Sequence, residues 1–122
     1  MKSYRELLVW QEAYKLALAV YEITKNFPVS ESYGLVSQIR RAIVSISANI
    51  AEGFNRQTKK EYLQFLYISR GSLQEIDFLL LLAKDLKYLE EIKYFEIKEK
   101  IDLVGRLLSG LIKSIKAYES KI

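Results

Sequence analysis

Apolar residues return at intervals of three and four almost throughout the chain, and no segment keeps the period-two alternation of a strand. Four such runs can be separated. In the first, Leu7, Trp10, Tyr14, Ala17, Tyr21 and Thr24 form one seam, and Val9, Ala13, Leu16, Val20 and Ile23 form a second beside it. Together they make a stripe wider than a strict two-stranded coil uses. Pro28 pushes Phe27 away from helical angles, so this helix is expected to stop near Asn26.

The second run begins near Glu31 or Gly34, with Ser30 as its expected N-cap, and carries Leu35, Ile39, Ala42, Ile46 and Asn49 with Val36, Ile43 and Ile50 alongside. It is expected to end at Gly53 or Phe54, where Gly53 and the following residues read as its stop. Thr58 and Glu61 have capping-box spacing, which starts a third helix at Lys59. Its core line is Tyr62, Phe65, Ser69, Leu73, Ile76, Leu80 and Ala83, fading near Lys87, with a turn over Tyr88 to Glu91. The last run carries Ile97, Ile101, Val104, Leu108, Leu111, Ile115 and Tyr118. Short connections between four helices imply antiparallel neighbours. The pattern therefore predicts an all-α protein, an antiparallel up-down-up-down four-helix bundle forming a single domain over residues 1–122. Its stripes are too broad for one bundle to hide, so identical copies are expected to cover one another.

The 122 residues include one proline and five glycines, and no linker or repeat interrupts the pattern. Without cysteine there is no disulfide or zinc-thiolate chemistry, and without histidine there is no Glu-x-x-His di-iron site, no Arg…His nuclease motif and no Ser-His-Asp triad. The segment from Gly105 to Ser114 has glycines spaced as in a phosphate-binding loop. However, Leu111 stands where the lysine belongs, and the segment lies inside a helical pattern. Gly105, Ser109 and Gly110, like Gly71 and Ser72, instead read as small residues that let another helix approach. No catalytic residue, cofactor or metal is expected. The charged N-terminus lacks a signal-peptide core, and the longest apolar stretch, Phe78 to Ala83, is far shorter than the ~20 residues that span a bilayer. The expectation is a soluble, cytoplasmic protein without membrane contact.

The formal net charge is +4. Between Gln38 and Lys60 lie Arg40, Arg41, Arg56, Lys59 and Lys60 against the single acid Glu52, so the excess is local. These five are the candidate nucleic-acid contacts, and the Phe54–Lys60 corner reads either as a solvated turn or as a phosphate site at a helix start. Gln38, Arg41, Ser45, Asn49 and Glu52 recur at threes and fours on one face. Gln38, Ser45, Asn49 and Glu52 read as a satisfied polar layer that fixes register between helices or subunits, with contacts from Asn49 and Glu52 to bases or a partner protein as the other reading.

Trp10, Phe27-Pro28, Glu31-x-Tyr33-Gly34-Leu35, Gln38-Ile39-Arg40-Arg41-Ala42, the block Ser45 to Gly53 and Gly71-Ser72 resemble the 23S rRNA intervening-sequence proteins, also called S23 ribosomal proteins. The resemblance spans nearly the whole chain. Ser47 departs from it, standing where many members carry proline within the helix. The resemblance implies a bacterial, cytoplasmic four-helix bundle that assembles into a homo-oligomer, a five-fold ring. It also implies an association with open reading frames inside 23S rRNA insertions, and through it RNA binding. A more distant similarity, to accessory proteins of diversity-generating retroelements, implies basic pentamers that bind RNA and a reverse transcriptase. The function expected is thus a non-enzymatic, RNA-binding homo-oligomer, with an adaptor for a protein partner as the alternative.

Overall fold

The computed structural model describes residues 2–120, with side chains through Tyr118. Four helices carry the chain: α1 (Leu8–Thr24), α2 (Leu35–Phe54), α3 (Lys59–Asp85) and α4 (Glu91–Ser120). Short 3-10 turns over Tyr4–Glu6 and Val29–Glu31 precede α1 and α2. There is no strand among the described residues.

Each helix packs on two others, α1 on α2 and α4, α3 on α2 and α4, which leaves α1 and α3 diagonal to one another. Ring centroids of Phe27 and Tyr88 lie 6.0 Å apart, so the α1–α2 and α3–α4 connections share one end of the bundle. This is the up-down-up-down arrangement. Its core runs the length of the helices through Leu16, Ile39, Ile46, Leu66, Ile76 and Leu108, all fully buried. Of the two seams on α1, the one from Val9 to Val20 faces the core, whereas Tyr14 and Tyr21 remain exposed.

Helix α1 ends at Thr24 and its turn runs out through Asn26, as expected ahead of Pro28. The Thr24 hydroxyl donates to the carbonyls of Val20 and Tyr21 at 2.9 and 3.1 Å. Other local expectations are corrected. Ser30 does not cap α2. Gly34 occupies the N-cap position, and the carboxylate of Glu31 accepts from the Leu35 N–H at 3.2 Å, placing a negative charge at the helix start. Helix α2 ends at Phe54, as expected, with Gly53 buried in its last turn. A Cβ there would come within 2.9 Å of both Phe65 Cβ and Tyr62 Cδ1, so the glycine serves the close crossing of α2 on α3. Neither Gly71 nor Gly110 faces a neighbouring helix within the chain, since a Cβ at either would meet nothing within 4 Å.

Thr58 caps α3 as expected, accepting from the Glu61 N–H at 3.1 Å. Its hydroxyl in turn donates to the Glu61 carboxylate at 3.0 Å. Helix α3 ends at Asp85 in a Schellman motif, with Tyr88 N–H bonded to Ala83 C=O at 2.9 Å and Lys87 N–H to Lys84 C=O at 3.0 Å. The left-handed position falls to Lys87, at φ 69°, instead of the usual glycine. Helix α2 continues unbroken through Ser47.

Candidate nucleic-acid interface

The five basic candidates separate into two groups. Arg40 and Arg41 sit in the first half of α2, and Arg56, Lys59 and Lys60 follow its far end. From Arg41 to Arg56 is about 22 Å along the axis at about 1.5 Å per residue. The two groups therefore do not form one patch.

Arg40 is engaged within the fold. Its Nε donates to Thr24 Oγ1 at 3.0 Å and its terminal nitrogen to the Tyr21 carbonyl at 3.3 Å, with the guanidinium 4.6 Å from the centre of the Tyr21 ring. A cation at the carboxyl end of α1 complements that helix's dipole and satisfies one of its last carbonyls. Arg41 is exposed and has no ion pair or hydrogen bond among the described residues. Arg56 pairs with Glu52 at 2.7 Å and lies over the Phe65 ring at 4.6 Å. The ammonium of Lys59 sits 2.8 Å from the centre of the Tyr118 ring, bridging α3 to the last turns of α4. Lys60 is exposed.

The Phe54–Lys60 corner is consequently less positive than its sequence suggested. Glu52 and the capping carboxylate of Glu61 stand among its three cations, and Glu61 already occupies the anion-favouring start of α3.

Gln38, Ser45 and Asn49 line the α2–α3 seam. Gln38 Nε2 donates to Glu75 at 3.3 Å, the Ser72 hydroxyl to the Ser45 hydroxyl at 2.8 Å, and Asn49 Nδ2 to Ser45 C=O and Oγ at 2.8 and 3.0 Å. Glu52 is turned outward to Arg56. The deepest member of the seam is Ser69, fully buried, whose hydroxyl donates to the Ile46 carbonyl at 2.8 Å. Ser69 stood in the core line of the periodic pattern, and a lone serine there was the signal of a polar anchor. On the other side of α3, Lys98 of α4 bridges Asp77 at 2.9 Å and Asp102 at 3.2 Å, and these partners hold its pKa above the ordinary lysine value. Among the described residues, no group of three His, Cys, Asp or Glu is placed to hold a metal ion, and no helix is long and apolar enough to cross a membrane.

Large apolar side chains remain exposed on each helix, Val44 on α2 and Ile92 and Phe95 on α4 among them, and they are most numerous on α1 and α3. On α1 they include Leu8, Tyr14 and Leu18, and on α3 they are Ile68, Phe78, Leu81 and Leu82, with Leu86 just beyond its end. Leu18 and Phe78 are 56% and 58% exposed. Gly71 lies within the α3 face, between Ile68 and Phe78.

The curated proteins contain no match to the chain. A solved structure from Bacteroides thetaiotaomicron VPI-5482, described as a protein with unknown function from the S23 ribosomal protein family, is similar to it with a TM-score of 0.79 and 26% identity. That match covers 87% of this chain and 99% of the other. The model of the 23S rRNA-intervening sequence protein family matches residues 5–110, and the chain belongs to that family.

Proposed function

We propose that the protein is a non-enzymatic scaffold that assembles through the outward faces of α1 and α3 into a homo-oligomeric ring and presents basic residues to RNA. The observation that carries this reading is the pair of apolar faces on diagonal helices. A contact between two different faces is heterologous, and such contacts build a ring where the rotation between copies closes and an open filament where it does not. Helices α1 and α3 run in the same direction, with Leu18 six residues before Thr24 and Phe78 seven before Asp85, toward the end that the two connections share. Copies turned about an axis parallel to the helices therefore bring these faces together at about the same height. The five-fold ring implied by the family resemblance is one closure of this geometry.

RNA is the favoured ligand because of the family's name and the charge carried by Arg41 and Lys60, which the fold does not use. One copy presents little charge; a ring repeats it at fixed spacing. The test is titration of a labelled structured RNA at several salt concentrations. Affinity that falls steeply with salt, and falls further in Arg41→Ala and Lys60→Ala at unchanged assembly mass, supports the reading. Absent or salt-insensitive binding contradicts it and favours an adaptor for a protein partner.

A further inference from the structure

Tyr33 is 99% exposed, yet it does not sit on a loose loop. The turn that carries it is closed by consecutive backbone bonds, Glu31 N–H to Pro28 C=O at 2.9 Å, Ser32 N–H to Val29 C=O at 3.0 Å and Gly34 N–H to Glu31 C=O at 3.1 Å. An aromatic ring offers one of the largest burial gains of any side chain, and here the fold holds it in water. Beside it lies a shallow groove, open to solvent, on the outer side of α1 and α2, lined by Tyr21, Ser32, Tyr33, Ser37, Arg40 and Arg41 among others. Among the described residues no carboxylate lines it. The carboxylate nearest in sequence, Glu31, is engaged by the Leu35 N–H and the Tyr88 hydroxyl.

We propose that this groove binds an unpaired nucleotide of single-stranded RNA, its base stacked on Tyr33 and its phosphate held by Arg41. The inference rests on the RNA-binding reading above and names the form of RNA recognised. The Arg40 guanidinium, lying over the Tyr21 ring at 4.6 Å, offers a second flat cationic surface, since bases stack on arginine planes as well as on aromatic rings. Ser32 and Ser37 supply hydroxyls for the sugar or phosphate. The face of a base in a duplex is covered by its neighbours, so the ring of Tyr33 discriminates against paired RNA, whereas Arg41 attracts the phosphates of either form.

The experiment compares a labelled single-stranded oligonucleotide with a duplex of the same length, on the full chain and on Tyr33→Ala and Tyr33→Phe, with assembly mass measured for each. The expected result is tighter binding of the single strand by the wild type, a loss of about ten-fold or more in Tyr33→Ala for the single strand alone, and retention in Tyr33→Phe, which keeps the ring. Equal binding of the single strand by wild type and Tyr33→Ala would overturn this inference while leaving the RNA reading intact. Binding of neither RNA by the wild type overturns both. A fall in assembly mass in Tyr33→Ala assigns the ring to the contact between copies and overturns the inference. Adenosine monophosphate displacing the strand at equal concentration does so too, in favour of a site for free nucleotides.

Discussion

Tyr88 donates its hydroxyl to Glu31 Oε2 at 3.0 Å, while the other oxygen of that carboxylate accepts from the Leu35 N–H. One side chain thus caps α2 and ties the first connection to the third. Glu31→Ala is expected to lower stability by about 1 kcal/mol, the usual size of a lost N-cap. Thermal unfolding of the variant checks this.

The same contact has a pH signature. The Glu31 carboxylate raises the Tyr88 pKa, because the neutral phenol is the form that donates. Lys98 is raised by its bonds to Asp77 and Asp102, and Tyr62 by burial. A group whose folded pKa exceeds its unfolded value stabilises fully below the unfolded value, and that stability is lost as pH rises through the folded one. Stability is therefore expected to decline above about pH 10, where tyrosine and lysine ordinarily titrate. Tyr88→Phe should melt lower than wild type at pH 8 and show a smaller deficit at pH 11. Melting curves across that range settle the sign.

Gly53 and Gly110 separate two effects of the same substitution. In an exposed helix interior, glycine to alanine stabilises by up to about 1 kcal/mol, and Gly110 has open space for the added methyl. At Gly53 the methyl meets Phe65 Cβ and Tyr62 Cδ1 at 2.9 Å, and overpacking of this kind costs about 1–3 kcal/mol. Gly110→Ala is expected to raise the denaturation midpoint and Gly53→Ala to lower it, read by chemical denaturation at constant m-value.

Lys87 takes the left-handed position that closes α3, a conformation costing a residue with a Cβ roughly 1–2 kcal/mol. Lys87→Gly removes that cost but makes the unfolded chain more flexible. The net expectation is a gain of about 0.5–1 kcal/mol, measured as a higher melting temperature.

The helices were legible because burial follows their period: Ile39, Ile43, Ile46 and Ile50 are fully buried where the pattern put them. The Thr58 cap was legible because its partner lies three residues away. The cap on α2 was misassigned to Ser30 because Glu31 acts from outside the usual N-cap position, across four residues. The apparent basic cluster dissolved for a related reason. The groups that engage Arg40 and Lys59, namely Thr24, Tyr21 and Tyr118, are distant in sequence, and no periodicity reports them. Tyr33 lay outside every apolar run, so the full exposure of its ring emerged only from the fold.

The central claim is that the outward faces of α1 and α3 meet between copies, and multi-angle light scattering at micromolar concentration tests it most directly. Wild type is expected to elute as a multiple of the 14.2 kDa chain, and Phe78→Glu and Gly71→Arg, each altering a surface the isolated bundle does not pack, as helical single chains. A wild-type mass of one chain would contradict the account, as would an assembly indifferent to both substitutions.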